Sequence, residues 1–79
     1  MTDRLPPIVV DARRLLPPEP MERTLEALDE MQPGQEVLLM IPRQPAPLFD
    51  MLHNNGYAYT VESQPDGVFH ITIRQASGD

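Results

Sequence analysis

The 79-residue chain contains no cysteine, no lysine and no tryptophan. Without cysteine there is no disulfide framework, no thiolate-ligated zinc or iron–sulfur site and no thiol nucleophile. Without lysine, six arginines stand alone against twelve acids, a formal charge of −6 at pH 7. That balance lacks the dense basic patch that phosphate backbones attract, so nucleic acid is not an expected partner. Long apolar runs are missing too. The longest, Val37 to Ile41, has five residues, against the ~20 that cross a bilayer. The opening Met1-Thr2-Asp3-Arg4-Leu5-Pro6-Pro7 does not start a leader-like apolar segment. The expectation is a soluble, cytoplasmic protein away from membranes. Its length suits one small domain, which hides only roughly 60% of the surface its unfolded chain exposes.

What the chain has in quantity is proline, ten residues in all, and the prolines punctuate the elements. Pro6-Pro7 keeps residues 1–7 as an extended lead-in to the β-branched run Ile8-Val9-Val10, a first strand closed by Asp11. In "LLPPEPM", residues 15–21, Pro17, Pro18 and Pro20 crowd the start of a helix. The position suits them, because first-turn N–H groups have no intrahelical acceptor. Met21, Leu25, Leu28 and Met31 then recur at helical spacing among charged residues, and Glu19 and Glu22 complement the positive helix end. Gln32-Pro33-Gly34 stops the helix.

Val37 to Ile41, apolar without alternation, predicts a strand covered on both faces or central in a thin sheet. Arg43-Gln44-Pro45-Ala46-Pro47 reads as a loop before a short helix carrying Leu48, Met51 and Leu52, with Gly56 as its left-handed terminator. Tyr57, Tyr59 and Val61 alternate with polar or small residues. So do Phe69, Ile71 and Ile73, with the turn Gln64-Pro65-Asp66-Gly67 between them, which makes a β-hairpin. Residues 8–74 form the domain and 75–79 a disordered tail. The order β-α-β-α-β-β with right-handed crossovers predicts an α/β (α+β) two-layer sandwich: a four-stranded mixed sheet with two helices on one face.

Chemistry-bearing candidates are few. Asp11, Glu19 and Asp50 have no partner at a defined spacing, so no catalytic activity is expected. His53 sits near a helix C-terminus, where a cation is favourable, and His70 on the polar side of an alternating strand. Two such histidines do not make a metal site, and no metal or cofactor is expected. Arg13, Arg14 and Arg43 fall near strand ends, where α/β sheets often bind anions. Tyr57 and Tyr59 read as a core or half-core pair.

The stretch Asp11-Ala12-Arg13-Arg14-Leu15-Leu16-Pro17-Pro18-Glu19-Pro20 resembles the signature of the TusA/SirA-like sulfur-carrier families. There an Asp-Ala-Arg-Gly-type strand end leads into Cys-Pro-x-Pro at the first helix, and the cysteine holds a persulfide. Pro17 stands at the cysteine's place, so the resemblance implies the carrier fold without persulfide relay. The rest of the chain is most similar to a cysteine-less cousin, the bacterial family known as domain of unknown function number 2249. The likeness lies in the Pro17-Pro18-Glu19-Pro20 entrance, the acidic helix from Glu22 to Met31, the strand start Gly34-Gln35-Glu36-Val37, and Arg43-Gln44-Pro45-Ala46-Pro47-Leu48 with Gly56-Tyr57 beyond it. Many members carry a histidine where this chain has Arg43, so a metal or haem role does not transfer. Relatives occur beside hemerythrin-like and other redox proteins, which implies a redox-related protein partner.

Two functional expectations follow. One is a protein-interaction module, monomeric or weakly dimeric, that presents Pro17, Pro18, Glu19 and Pro20, and the Arg43 loop, to a redox or sulfur-handling partner; its acidic surface would suit a basic one. The other is a binder of a small anion or cofactor, using the helix N-terminus with Arg13, Arg14 and Arg43.

Overall fold

Two prolines ahead of a β-branched run deliver the chain straight into β1 (Ile8–Asp11). Helix α1 (Glu19–Glu30), β2 (Val37–Ile41), α2 (Ala46–Asn54), β3 (Tyr57–Ser63) and β4 (Phe69–Gln75) follow in the computed structural model, which describes residues 5–44 and 46–76. The sheet order is β1-β2-β4-β3. β1 runs parallel to β2, and β4 lies antiparallel to both β2 and β3, which gives the mixed four-stranded sheet expected from the sequence.

β2 is central, as its unbroken apolar run predicts, but it is covered on one side only. Val37, Leu39 and Ile41 are buried and face the helices, while Leu38 and Met40 are half-exposed on the opposite face. Val10, Ile71 and Ile73 join the buried set, and Leu28, Leu48 and Leu52 from the two helices close the core. Burial of such side chains supplies most of the folding free energy, about 1.5–3 kcal/mol for each large one.

In α1 the buried face differs from the stripe of largest apolar residues. Thr24, Ala27 and Leu28 are buried, whereas Leu25 is 45% exposed. Thr24 is accepted in the core because its hydroxyl donates to the Pro20 carbonyl at 2.7 Å, satisfying the one buried polar side chain among the described residues. At the far end, Gln35 ties the turn to the lead-in: its Nε2 donates to the Pro6 carbonyl at 2.8 Å and its Oε1 accepts from the Gln32 N–H at 2.9 Å.

α2 stops as its sequence predicts. Gly56 sits at φ +82, and a Cβ placed there would meet nothing within 4 Å. The burden of a side chain at Gly56 is therefore conformational alone. Gly56→Ala should lower stability by about 1–2 kcal/mol, read as a shifted midpoint of denaturant unfolding with an unchanged slope.

Beyond Gly56 the hairpin closes as expected. The Gln64 N–H donates to the Val68 carbonyl at 2.9 Å, and Asp66 Oδ1 accepts from the Val68 N–H at 3.0 Å. Tyr57, Tyr59 and Val61 lie on the helix side of β3. The Tyr59 ring stacks on Phe49 of α2, with centroids 4.6 Å apart, an aromatic pair worth about 0.5–1.5 kcal/mol beyond its buried area. β4 runs to Gln75, and the Ala76 N–H donates to the Gly56 carbonyl at 2.9 Å. Strand pairing thus enters the stretch assigned to the tail by alternation; residues 77–79 lie outside those described. Among the described residues no helix is long and apolar enough to cross a membrane.

Candidate functional site

The end of β1 and the start of α1 are joined by seven residues, Ala12 to Pro18. Ala12 is buried and its N–H continues the ladder to the Met40 carbonyl at 2.8 Å. Leu15 turns partly inward, while Leu16 stands 76% exposed. Pro18 occupies the N-cap position with no side-chain cap. Its carbonyl accepts the Glu22 N–H at 3.1 Å, and the Leu16 carbonyl accepts the Glu19 N–H at 2.9 Å, so the loop's own backbone organises the first turn.

Across from this entrance, β2 ends at Ile41 and the chain crosses Pro42, Arg43 and Gln44 before α2. Between the two segments lies an open groove of about 470 Å3. Pro17, Pro18 and Pro20 form one wall, Pro42, Ala46 and Pro47 the other, and the half-buried Met21 with buried Ile41 and Leu48 underlies them. Among the described residues Arg43 is its one charged lining residue. Proline rings supply a wall that is apolar and already fixed in φ, so the shape persists without a ligand.

The residues singled out from sequence therefore divide. Pro17, Pro18, Pro20 and Arg43 meet at the groove; Arg13, Arg14 and Glu19 do not line it. Glu19 is exposed at the first residue of α1. Arg13 folds back on Asp11: Nε donates to Oδ1 at 2.8 Å, Nη2 to Oδ2 at 2.7 Å, and its backbone N–H to Oδ1 at 3.2 Å. Arg14 shares a separate depression with this pair. The three arginines thus do not converge on one point. Sequence reasoning named the Arg43 loop, to which Pro47 belongs, but not Leu16, Met21 or Pro42, which also line the groove; two adjacent leucines in a loop otherwise built mainly of arginine and proline were the available signal for the first.

The fork on Asp11 holds its carboxyl down from 3.8 to about 2, first through the Arg13 side chain and then through the Arg13 backbone N–H. The same contact raises the Arg13 pKa. A lowered carboxylate pKa stabilises the fold above its ordinary value, and that contribution disappears as pH falls through the lowered one. With both groups about half exposed, the effect is small. Asp11→Asn should therefore melt slightly below the parent at neutral pH, and the gap should close as pH drops from about 3.8 to about 2. Parallel melting curves across that window would contradict this role for the pair.

Among the described residues no group of three or more His, Asp or Glu side chains could hold a metal ion. His53 is exposed in the last turn of α2, and half-buried His70 lies opposite Met40 and Glu62 on the sheet face that the helices leave uncovered.

A family model described as uncharacterized conserved protein (DUF2249) matches residues 9–75. The chain belongs to this family. Among solved structures, this DUF2249 chain is similar to a SirA-like protein from Desulfitobacterium hafniense, with a TM-score of 0.77 at 25% identity over 89% of this chain and 99% of that one. The fold is SirA-like. No curated protein matches the DUF2249 chain.

Proposed function

We propose that this DUF2249 domain is a non-catalytic protein-interaction module whose groove at the α1 entrance receives an apolar segment of a redox or sulfur-handling partner. The observation that carries this reading is the groove itself: about 470 Å3, walled by prolines, bordered by a 76% exposed leucine and holding one charge, Arg43. Covering Leu16 and the proline rings removes apolar surface from water, and rigid walls lose little conformational freedom on binding. Among the described residues Arg43 makes no ion pair. The fitting occupant is thus an apolar side chain followed by a carboxylate.

The partner class rests on kinship with the sulfur carriers. There the corresponding loop holds the persulfide cysteine; here Pro17 keeps the loop's place and offers no sulfur-accepting atom. Of the carboxylates considered for catalysis, Asp11 is engaged by Arg13, and neither Glu19 nor Asp50 lines the groove.

The alternative, an anion held by the helix N-terminus with Arg13, Arg14 and Arg43, is less favoured because Arg13 is occupied by Asp11 and the arginines lie in two depressions. It requires sulfate or phosphate to raise the melting temperature and Arg43→Ala to abolish the rise.

The interaction reading is tested by replacing Leu16 with a photo-crosslinking amino acid in the intact protein in its own cells. A discrete adduct with a redox or sulfur-handling protein is expected from position 16 and not from a control substitution at Glu62. Equal products from both positions, or none, would overturn it.

A further inference from the structure

A second surface lies on the opposite flank of α1, along the outer edge of β1. The Ile8 N–H donates to the Glu36 carbonyl at 2.9 Å and the Ala12 N–H to the Met40 carbonyl at 2.8 Å. Residues 8 and 10, and the N–H of Ala12, thus turn toward β2. By the two-residue period of a strand, Val9 and Asp11 turn theirs outward, where the sheet order places no neighbour. An edge of this kind is a template for another strand unless something covers it. Here nothing among the described residues does. Instead the edge borders a groove of about 230 Å3 whose far side is α1, with Arg23, Glu26, Ala27 and Glu30 along it. Val9 is 54% exposed on the open sheet face.

We infer that this edge accepts a short basic segment of a partner protein as a fifth strand, by backbone pairing to Val9 and Asp11. Four hydrogen bonds are available, the N–H and C=O of each residue, which suits an added strand of three to five residues because Pro6 and Pro7 halt the ladder at one end. The charge along the groove sets the chemistry. Glu26 and Glu30 face one arginine on α1, none of the three is ion-paired among the described residues, and the Asp11 carboxylate is already neutralised by Arg13. Side chains of the incoming strand that point toward α1 can lay an aliphatic stem on Ala27 and bring an ammonium or guanidinium to Glu26 and Glu30. Those on the other face lie beside Val9. The segment therefore alternates basic and apolar residues. A second copy of the chain fits less well: symmetric pairing would oppose two such acid-rich flanks on molecules each carrying −6.

The probe is the capped pentapeptide Val-Lys-Val-Lys-Val, titrated into the isotope-labelled protein and followed by amide NMR. Binding should shift the Val9 and Asp11 amide signals downfield and slow their exchange with solvent. A peptide of equal charge, N-methylated at the positions that face β1, should fail to do so, as should Val-Glu-Val-Glu-Val. Glu26→Lys combined with Glu30→Lys, both exposed, should weaken binding at least about tenfold with an unchanged melting temperature. Three results would overturn the inference: no binding; equal binding of the methylated peptide with shifts confined to α1, which is charge attraction alone; or protection of Val9 and Asp11 that appears without peptide as protein concentration rises, which is self-association. Because none of these readouts involves the Leu16 groove, failure here is distinct from failure of the function proposed for that groove.

Discussion

Leu39→Ala is expected to lower the melting temperature by on the order of 10–30 °C, the largest stability effect of any single truncation in this domain. Leu39 is fully buried at the middle of the central strand, paired with Val10 on one side and Ile71 on the other. Truncation removes its transfer free energy and leaves a cavity between strands and helices that cannot collapse freely, a loss of about 2–5 kcal/mol. A chain of this length has only about 4–12 kcal/mol in total. Leu38, its neighbour, points to the uncovered face and is half-exposed. Leu38→Ala should cost well under half as much. Calorimetric melts of the two variants settle the orientation of β2, since similar losses would place both residues in one core.

The second large effect concerns binding. Leu16→Asp should leave the melting temperature within about 3 °C of the parent, because an exposed loop residue contributes little to folding. Yet it should weaken association with the protein crosslinked at position 16 by roughly thirtyfold or more, the scale of about 2 kcal/mol. The loss has two parts: the leucine's apolar contact disappears, and an unpaired carboxylate must be desolvated in its place. Pro47→Glu, on the facing wall, should act in the same direction. Unaltered affinity in both variants would remove the groove from consideration.

Much of the fold was legible because its signals are local. Val37 to Ile41 announced a strand either covered on both faces or central in a thin sheet, the second of which holds, the spacing of Tyr57, Tyr59, Phe69, Ile71 and Ile73 announced a hairpin, and Gly56 marked the end of α2. What sequence could not supply was the identity of the face that each element buries. Leu25 looks like core and Thr24 does not; the order inverts because the Thr24 hydroxyl is satisfied by the Pro20 carbonyl one turn back. The apolar run of β2 likewise conceals that, among the described residues, Leu38 and Met40 have no layer above them.

The candidate site was legible by half. The prolines of the α1 entrance and the Arg43 loop both stood out, but that Pro42 and Pro47 face the entrance as a second wall depends on a β2-to-α2 connection brought near by tertiary packing. Three arginines near strand ends suggested convergence. Asp11 lies only two residues from Arg13, close enough to engage it before any ligand does. Charge pairing at that spacing could have been read from the sequence and was not.

The most direct measurement is methyl NMR on the protein as the partner identified by crosslinking is titrated in. Methyl groups suit a surface rich in proline, where amide probes are sparse. Shifts concentrated at Leu15, Leu16, Met21, Ile41 and Leu48 are expected. Shifts confined to Val9, Leu38 and Met40 on the open sheet face, with the entrance unmoved, would contradict the groove as the binding surface.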